Sequence, residues 1–219
     1  MNENRAREEI CRVGRSLFQR GYVHATAGNI SVRLDDGFLI TPTDACLGFL
    51  DPAQLARVDA GGRQREGAPA SKTLVLHRRI YEAHAAGNAP RCVIHTHGTH
   101  CVALTLADTG EELLPPITPY FVMKVGHVPV VPYHRPGAPE VGDAVAGLIA
   151  RYAAQGTPLR AVMLARLGPN VWHDSPAQAM AVLEELEETA KLWMLAATKP
   201  APLPAQALQE LERVFGCRW

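Results

Sequence analysis

VIHTHGTH, residues 93–100, places His95, His97 and His100 at the end of an apolar, β-branched run. Residues 91–97 read as a strand, on which His95 and His97 are two apart and project from the same face. Cys92 is an odd number of residues from His95, so it points to the opposite face and reads as a buried thiol. Past Gly98 the chain reads as a short helix over 99–107. Neutral imidazole is the commonest protein ligand of zinc, and a catalytic zinc takes three protein ligands and keeps one open position. His95 and His97 are therefore candidate ligands of zinc or another divalent metal, with His100, His134 and His24 as candidates for a third.

Upstream, residues 5–20 read as an amphipathic helix with Ile10, Val13 and Leu17 on one stripe and Gly21 as its stop. Strands at 30–34 and 38–40 are joined by the turn Asp35-Asp36-Gly37. The turn-rich ITPTDACLGFLDP follows, then a short helix and strand over 51–59 ending at Gly61-Gly62. Ser71 reads as the N-cap of a helix running to about Ala86, with Gly87 as its stop. Its inner face carries Leu74, His77, Ile80, Tyr81 and His84.

Downstream, PPITPY leads into FVMKVGHVPVVPY, which reads as helix, turn and strand. A helix over 139–154 precedes a strand over 161–165. DSPAQ, 174–178, is the clearest helix start: Ser175 caps, Pro176 suits the first helical position and Gln178 completes a capping box. The long helix behind it, to about 197, carries Leu183, Leu186, Ala190 and Trp193 on one stripe. Prolines at 200, 202 and 204 precede a last helix over 205–214. Strands and helices mix without strict βαβ alternation. The expected fold is a three-layer α/β/α domain, spanning 1–219, with a mixed, largely antiparallel sheet.

The composition bounds the function. The 219 residues hold 22 basic and 22 acidic side chains, so net charge gives no reason to expect nucleic acid or an anionic membrane as partner. No apolar run approaches a membrane span, and the N-terminus has no hydrophobic leader. Cysteines at 11, 46, 92, 101 and 217 form no CxxC pair, which argues against a disulfide framework. A soluble cytoplasmic protein is expected.

Six segments in order, ATAGNISVR (25–33), LITPTDACLG (39–48), ASKTLVLHRRIY (70–81), VIHTHGTH (93–100), PYFVMKVG (119–126) and VLEELEETAKL (182–192), resemble the class II aldolase/adducin family. Within it, TPTDACLGFLDP, the Ser71-Lys72 pair, TPYFVMKVGHVPVVPYHRPG and EELEETAKL look most like the 3-oxo-tetronate 4-phosphate decarboxylases. The resemblance implies a divalent-metal-dependent lyase. It would cleave a carbon–carbon bond in a small phosphorylated keto acid or sugar and be assembled as a homotetramer. It assigns metal binding to His95 and His97, phosphate binding to Gly28, Asn29, Thr43 and Ser71, and catalytic roles to Lys72 and to Tyr120, reaching in from a neighbouring subunit.

Two family groups are replaced. The third metal histidine falls on Leu167 in LARLGP, with Arg166 in place of asparagine, and the family's glutamate falls on Thr73. Asp44 stands where a glycine is usual. These replacements keep a second expectation open, a catalytically silent member of the family used for binding or assembly.

Overall fold

The computed structural model describes residues 2–84, 89–107 and 110–219. The strands are β1 (Asn29–Leu34), β2 (Gly37–Ile40), β3 (Ala56–Asp59), β4 (Gln64–Glu66), β5 (Cys92–His95), β6 (Val130–Val131), β7 (Ala161–Leu164) and β8 (Gly168–His173). They form one sheet in the order β4-β3-β2-β1-β5-β8-β7-β6. β6 and β7 run parallel, and the other neighbours are antiparallel. The mixed, largely antiparallel sheet expected from the sequence is present.

The helices are α1 (Glu3–Gln19), α2 (Leu74–Glu82), α3 (Thr99–Leu104), α4 (Glu140–Ala154), α5 (Pro176–Leu195) and α6 (Ala205–Phe215). Ile30, Val32, Cys92, Ile94, Met163 and Val171 face a core shared with α1, α3 and α5. Phe38, Ile40, Val93, Val162, Leu164 and Trp172 face a second core shared with α2 and α4. The sheet is therefore covered on both sides, giving the α/β/α layering. Double coverage also explains why β5 and β7 read as unbroken apolar runs without polar alternation.

α1 and α4–α6 lie within a residue or two of their expected positions. At α5, Ser175 Oγ accepts from the Gln178 amide at 3.3 Å and donates to Gln178 Oε1 at 2.9 Å. α2 begins later than its sequence suggests. Ser71 is not its N-cap: Thr73 holds that place, without a side-chain capping bond. The Ser71 hydroxyl is instead paired with Thr73 Oγ1 at 2.7 Å, and the Leu74 amide reaches the Ser71 carbonyl at 3.1 Å. The expected C-terminal end of this helix at Ala86 and its stop at Gly87 lie outside the described residues. In place of the helix expected after Tyr120, Phe121–Val125 makes one π-helical turn, closed by Gly126 with φ of +78°.

Two short strands, β4 and β8, have no counterpart in the sequence reading. β8 matters most for the site. It returns from β7 through a tight turn in which the Leu167 amide bonds the Leu164 carbonyl at 3.0 Å. Arg166 is left-handed there, with φ of +65°. An asparagine would tolerate that conformation better than an arginine does. At Gly168 a Cβ would lie 1.9 Å from the Thr96 carbonyl oxygen, so only glycine lets the turn pack against the histidine strand.

Candidate active site

The antiparallel register brings the site together at one end of the sheet. Asn29 on β1 and Asn170 on β8 stand directly opposite His95 on β5, one on each side. Residues opposed in this way share a face, so Asn29, His95 and Asn170 form a row on the side covered by α2. Gly28, with φ of +82°, lets the chain before β1 pass close to the His95 carbonyl, where a Cβ would stand 2.8 Å from the oxygen.

His95 is buried, and its Nδ1 lies 3.0 Å from the Pro169 carbonyl. A carbonyl only accepts, so Nδ1 carries the proton and Nε2 presents a lone pair. This is the arrangement that orients a metal-binding histidine. Burial, and then the neighbouring His97, hold the His95 imidazole down to about 4. Burial, and then His24, lower His97. Both rings are thus neutral near pH 7, the form that binds a metal.

The His95 and His97 ring centroids are 5.0 Å apart. Two imidazoles on one tetrahedral zinc, with Zn–N of about 2.0–2.1 Å, hold their centroids about 5 Å apart. The pair fits a divalent transition metal. The set is nevertheless short: among the described residues no three His, Cys, Asp or Glu side chains stand together as an ion-binding group. Leu167 packs against the core on the α2 side and offers no donor there. Thr73 is tied to Ser71. His100, one of the candidates for a third ligand, is engaged elsewhere: its Nδ1 and amide contact buried Glu187 Oε1 at 2.9 and 2.8 Å.

The phosphate-binding candidates converge around Thr41. Its hydroxyl accepts from the Ile30 amide at 3.2 Å, its carbonyl accepts from the Ser71 amide at 3.2 Å, and Thr43 lies two residues on. Asn29, Thr43 and Ser71 are therefore neighbours of the histidine pair through backbone bonds. The Thr43 hydroxyl donates to the Ala70 carbonyl at 2.9 Å, leaving it to act toward a ligand as an acceptor or by switching partners. Among the described residues no group accepts from the Lys72 or Thr73 amides at the start of α2. Asp44 has φ of +56°, a conformation that glycine adopts at less cost.

Lys72 is exposed and makes no ion pair among the described residues, with Asp44 or any other acid. Tyr120 is not brought to the pair within this chain. It is 61% exposed, at the head of the π-helical turn that packs on α5, in the opposite helical layer.

Two further buried groups lie at the site, and only the first was legible in the sequence, which placed His77 on the inner face of α2. His77 on α2 is fully buried, with Nδ1 2.8 Å from Ser31 Oγ, which lies 2.7 Å from the Tyr81 hydroxyl. Burial, and then His95, lower His77 to about 3. Asn170 was missed because β8 was missed. The only local signal is Asn170 and Trp172 alternating with Pro169 and Val171. Buried and without a protein partner are His77 Nε2, Asn29 Oδ1, both amide atoms of Asn170 and Thr96 Oγ1. Each such atom costs about 1–3 kcal/mol unless something bonds it, and buried polar groups are otherwise almost always paired. Those of Asn29, Asn170 and His77 lie beside His95 on the α2 side of the sheet and mark a place prepared for a polar ligand.

Comparison with known proteins agrees. Residues 8–194 match the model of the Class II Aldolase and Adducin N-terminal domain. The chain belongs to the class II aldolase/adducin family. It is 55% identical to the 3-oxo-tetronate 4-phosphate decarboxylase of Cupriavidus necator, covering 99% of each chain. It is 41% identical to the protein of that name from Escherichia coli K12, covering 90% of each. Among solved structures it resembles YgbL of Klebsiella pneumoniae, with a TM-score of 0.86, 40% identity and coverage of 96% of this chain and 99% of that one. It also resembles the L-fuculose-1-phosphate aldolase of Thermus thermophilus, with a TM-score of 0.73, 27% identity and coverage of 87% and 93%.

The buried imidazoles give this family member a pH signature. His77 and His95 are neutral when folded down to about 3 and about 4, whereas in the unfolded chain they protonate near 6.5. Below pH 6.5 the unfolded state binds more protons, so stability is full above 6.5 and lost as pH falls toward 4. Each imidazole contributes up to about 1.4 kcal/mol per pH unit. Urea unfolding between pH 6 and 4.5 should show this slope, and His77→Gln should reduce it by up to about 1.4 kcal/mol per pH unit. A slope unchanged by that substitution would contradict the neutral buried pair.

Proposed function

We propose that the chain is a carbon–carbon lyase that decarboxylates a small phosphorylated 3-oxo acid, most like 3-oxo-tetronate 4-phosphate. The observation that carries this reading is the row Asn29–His95–Asn170, with its unpaired buried amides, set beside Thr43 and Ser71. The near-full-length likeness to the Cupriavidus necator decarboxylase supports it.

The residues would divide the work as follows. Thr43, Ser71, Asn29 and the free amides at the head of α2 would hold the phosphate, where the helix dipole favours an anion. Lys72 would place positive charge near the carbonyl oxygen. As the bond from the carboxyl carbon to the next carbon breaks, its electron pair passes toward that oxygen and carbon dioxide leaves. Fixed positive charge and amide donors act where this negative charge grows. Tyr120 of an adjacent subunit in a homotetramer would then deliver a proton to the carbon that lost the carboxylate. Zinc or a similar ion held by His95 and His97 would supply Lewis-acid stabilisation of the same oxygen.

The phosphate dependence is directly measurable. Turnover of 3-oxo-tetronate 4-phosphate should exceed that of the unphosphorylated acid by about 100-fold or more in kcat/KM, since the phosphate contacts contribute several charge-assisted hydrogen bonds. Equal turnover of the two acids would remove the anion site from the scheme.

A second reading, a catalytically silent binding protein, is favoured by Thr73 and Leu167, which offer neither acid nor metal ligand. It predicts saturable binding of the phosphorylated acid with no loss of carbon dioxide.

A further inference from the structure

We infer that His77 is a specificity residue of this site: its Nε2 lone pair accepts the hydrogen bond of a ligand hydroxyl, so that a phosphorylated acid hydroxylated beside its carboxyl group is selected over the deoxy compound. The inference rests on the lyase reading for the identity of the acid, in which that hydroxyl sits on the carbon that loses the carboxylate.

The lone pair follows from a count of protons. The Tyr81 hydroxyl lies 3.0 Å from the Ser31 carbonyl and 2.7 Å from Ser31 Oγ, which in turn lies 2.8 Å from His77 Nδ1. A carbonyl only accepts, so the Tyr81 proton serves that contact. The Ser31 proton then serves the contact between the two hydroxyls. Only a proton on His77 Nδ1 is left to make the third. The ring is neutral because burial disfavours its charged form, so Nε2 is bare. That atom is buried and has no partner among the described residues.

The surroundings favour a hydroxyl. Ser31 stands two residues from Asn29 on the same face of β1, so His77 lies over the strand beside the Asn29–His95–Asn170 row. The two ring nitrogens occupy opposite edges; with Nδ1 turned to Ser31, the Nε2 edge is left to the row, and His95 is near enough to lower His77. Acceptors predominate there: His77 Nε2, His95 Nε2, Asn29 Oδ1 and Asn170 Oδ1, against the single unpaired donor Asn170 Nδ2. A carboxylate or phosphate oxygen would meet the His77 lone pair with a lone pair of its own. A hydroxyl donates to it and can accept from Asn170 in return. His77 and Asn170 form the floor of the site, 0% and 1% exposed, while Asn29 and His95 keep 6% and 8% exposure at its mouth. A site built to bond a ligand hydroxyl rejects the analogue without it, because the buried polar group is then left unpaired.

The test is calorimetric binding of two unreactive compounds to the purified full-length protein: tetronate 4-phosphate, in which the 3-oxo group is reduced to an alcohol, and its 2-deoxy analogue. Wild type should bind the 2-hydroxy compound at least about tenfold tighter. His77→Phe, which keeps a ring but removes the acceptor, should abolish the preference. His77→Gln, whose carboxamide oxygen can take the place of Nε2, should keep part of it. Nitrogen-15 NMR of histidine-labelled wild type should show His77 as the tautomer protonated at Nδ1, a readout that needs no variant to fold. A proton on Nε2 would overturn the inference. So would wild type that binds both compounds equally, its lone pair then satisfied by water alone, or that binds neither. Carbon dioxide release from 3-oxo-tetronate 4-phosphate is scored separately. A His77-dependent preference without turnover would refute the lyase reading alone, and turnover with no preference for the 2-hydroxyl would refute this assignment alone.

Discussion

His95→Ala is expected to lower kcat/KM for the phosphorylated 3-oxo acid by about a thousand-fold or more, while leaving the fold largely intact. His95 stands at the centre of the row of unpaired amides, with its Nε2 lone pair free and its ring fixed by the Pro169 carbonyl. Removing one preorganised group that acts on developing charge typically lowers turnover by about 100- to 1,000-fold. Loss of a metal ligand adds to that. The structural penalty is smaller: the Pro169 carbonyl loses one hydrogen bond, worth about 1 kcal/mol, and a cavity is left beside polar neighbours. Thermal unfolding should therefore fall by only a few degrees, since about 1 kcal/mol shifts Tm by ~2–4 °C in a chain of this size. Activity retained within tenfold of wild type would place the chemistry elsewhere.

The second large effect is expected from repair. Thr73→Glu combined with Leu167→His should raise zinc affinity at least about tenfold, equivalent to about 1.4 kcal/mol. Leu167 follows Arg166 in the β7–β8 turn and packs toward the α2 side, the face on which His95 lies. A histidine there would approach the pair from the β8 side. Thr73 heads α2 beside Ser71, at the end of the site proposed to hold the phosphate. The exchange at 167 sacrifices apolar contact, so the double variant should be somewhat less stable, which urea unfolding would register. Zinc affinity unchanged in the folded double variant would show that these two positions do not face the metal.

How much of this was legible in the sequence follows from the range of each interaction. α5 declares itself because Ser175, Pro176 and Gln178 act within one turn of chain. The histidine pair is legible because its two members lie two residues apart at the end of an apolar run; β5 ends at His95, and His97 just beyond it still brings its ring within 5.0 Å of the His95 ring. The start of α2 was misread for a related reason. Ser71 is a good capping residue by type, but its hydroxyl is taken by Thr73, and the chain spends one more turn before the helix. β8 was lost because its signal is only six residues long, opens with Gly168-Pro169 and is buried on both faces. With it went Asn170, whose place beside His95 depends on pairing between residues 75 positions apart. The engagement of His100 by Glu187 is likewise invisible locally, since α5 supplies the carboxylate from 87 residues away. Family resemblance supplied the phosphate-binding candidates, and the register of β1 and β5 then gave Asn29 its physical position.

The most direct test of the lyase assignment is to follow 3-oxo-tetronate 4-phosphate labelled with carbon-13 at its carboxyl group by NMR, in the presence of the zinc-loaded protein. Decarboxylation at the His95 site predicts that the carboxyl signal disappears over many turnovers and an equal amount of labelled bicarbonate appears, with His95→Ala no faster than the enzyme-free control. A substrate whose phosphorus signal shifts on binding, while the carboxyl label stays in place at the uncatalysed rate, would contradict that assignment and identify a binding protein built on an aldolase fold.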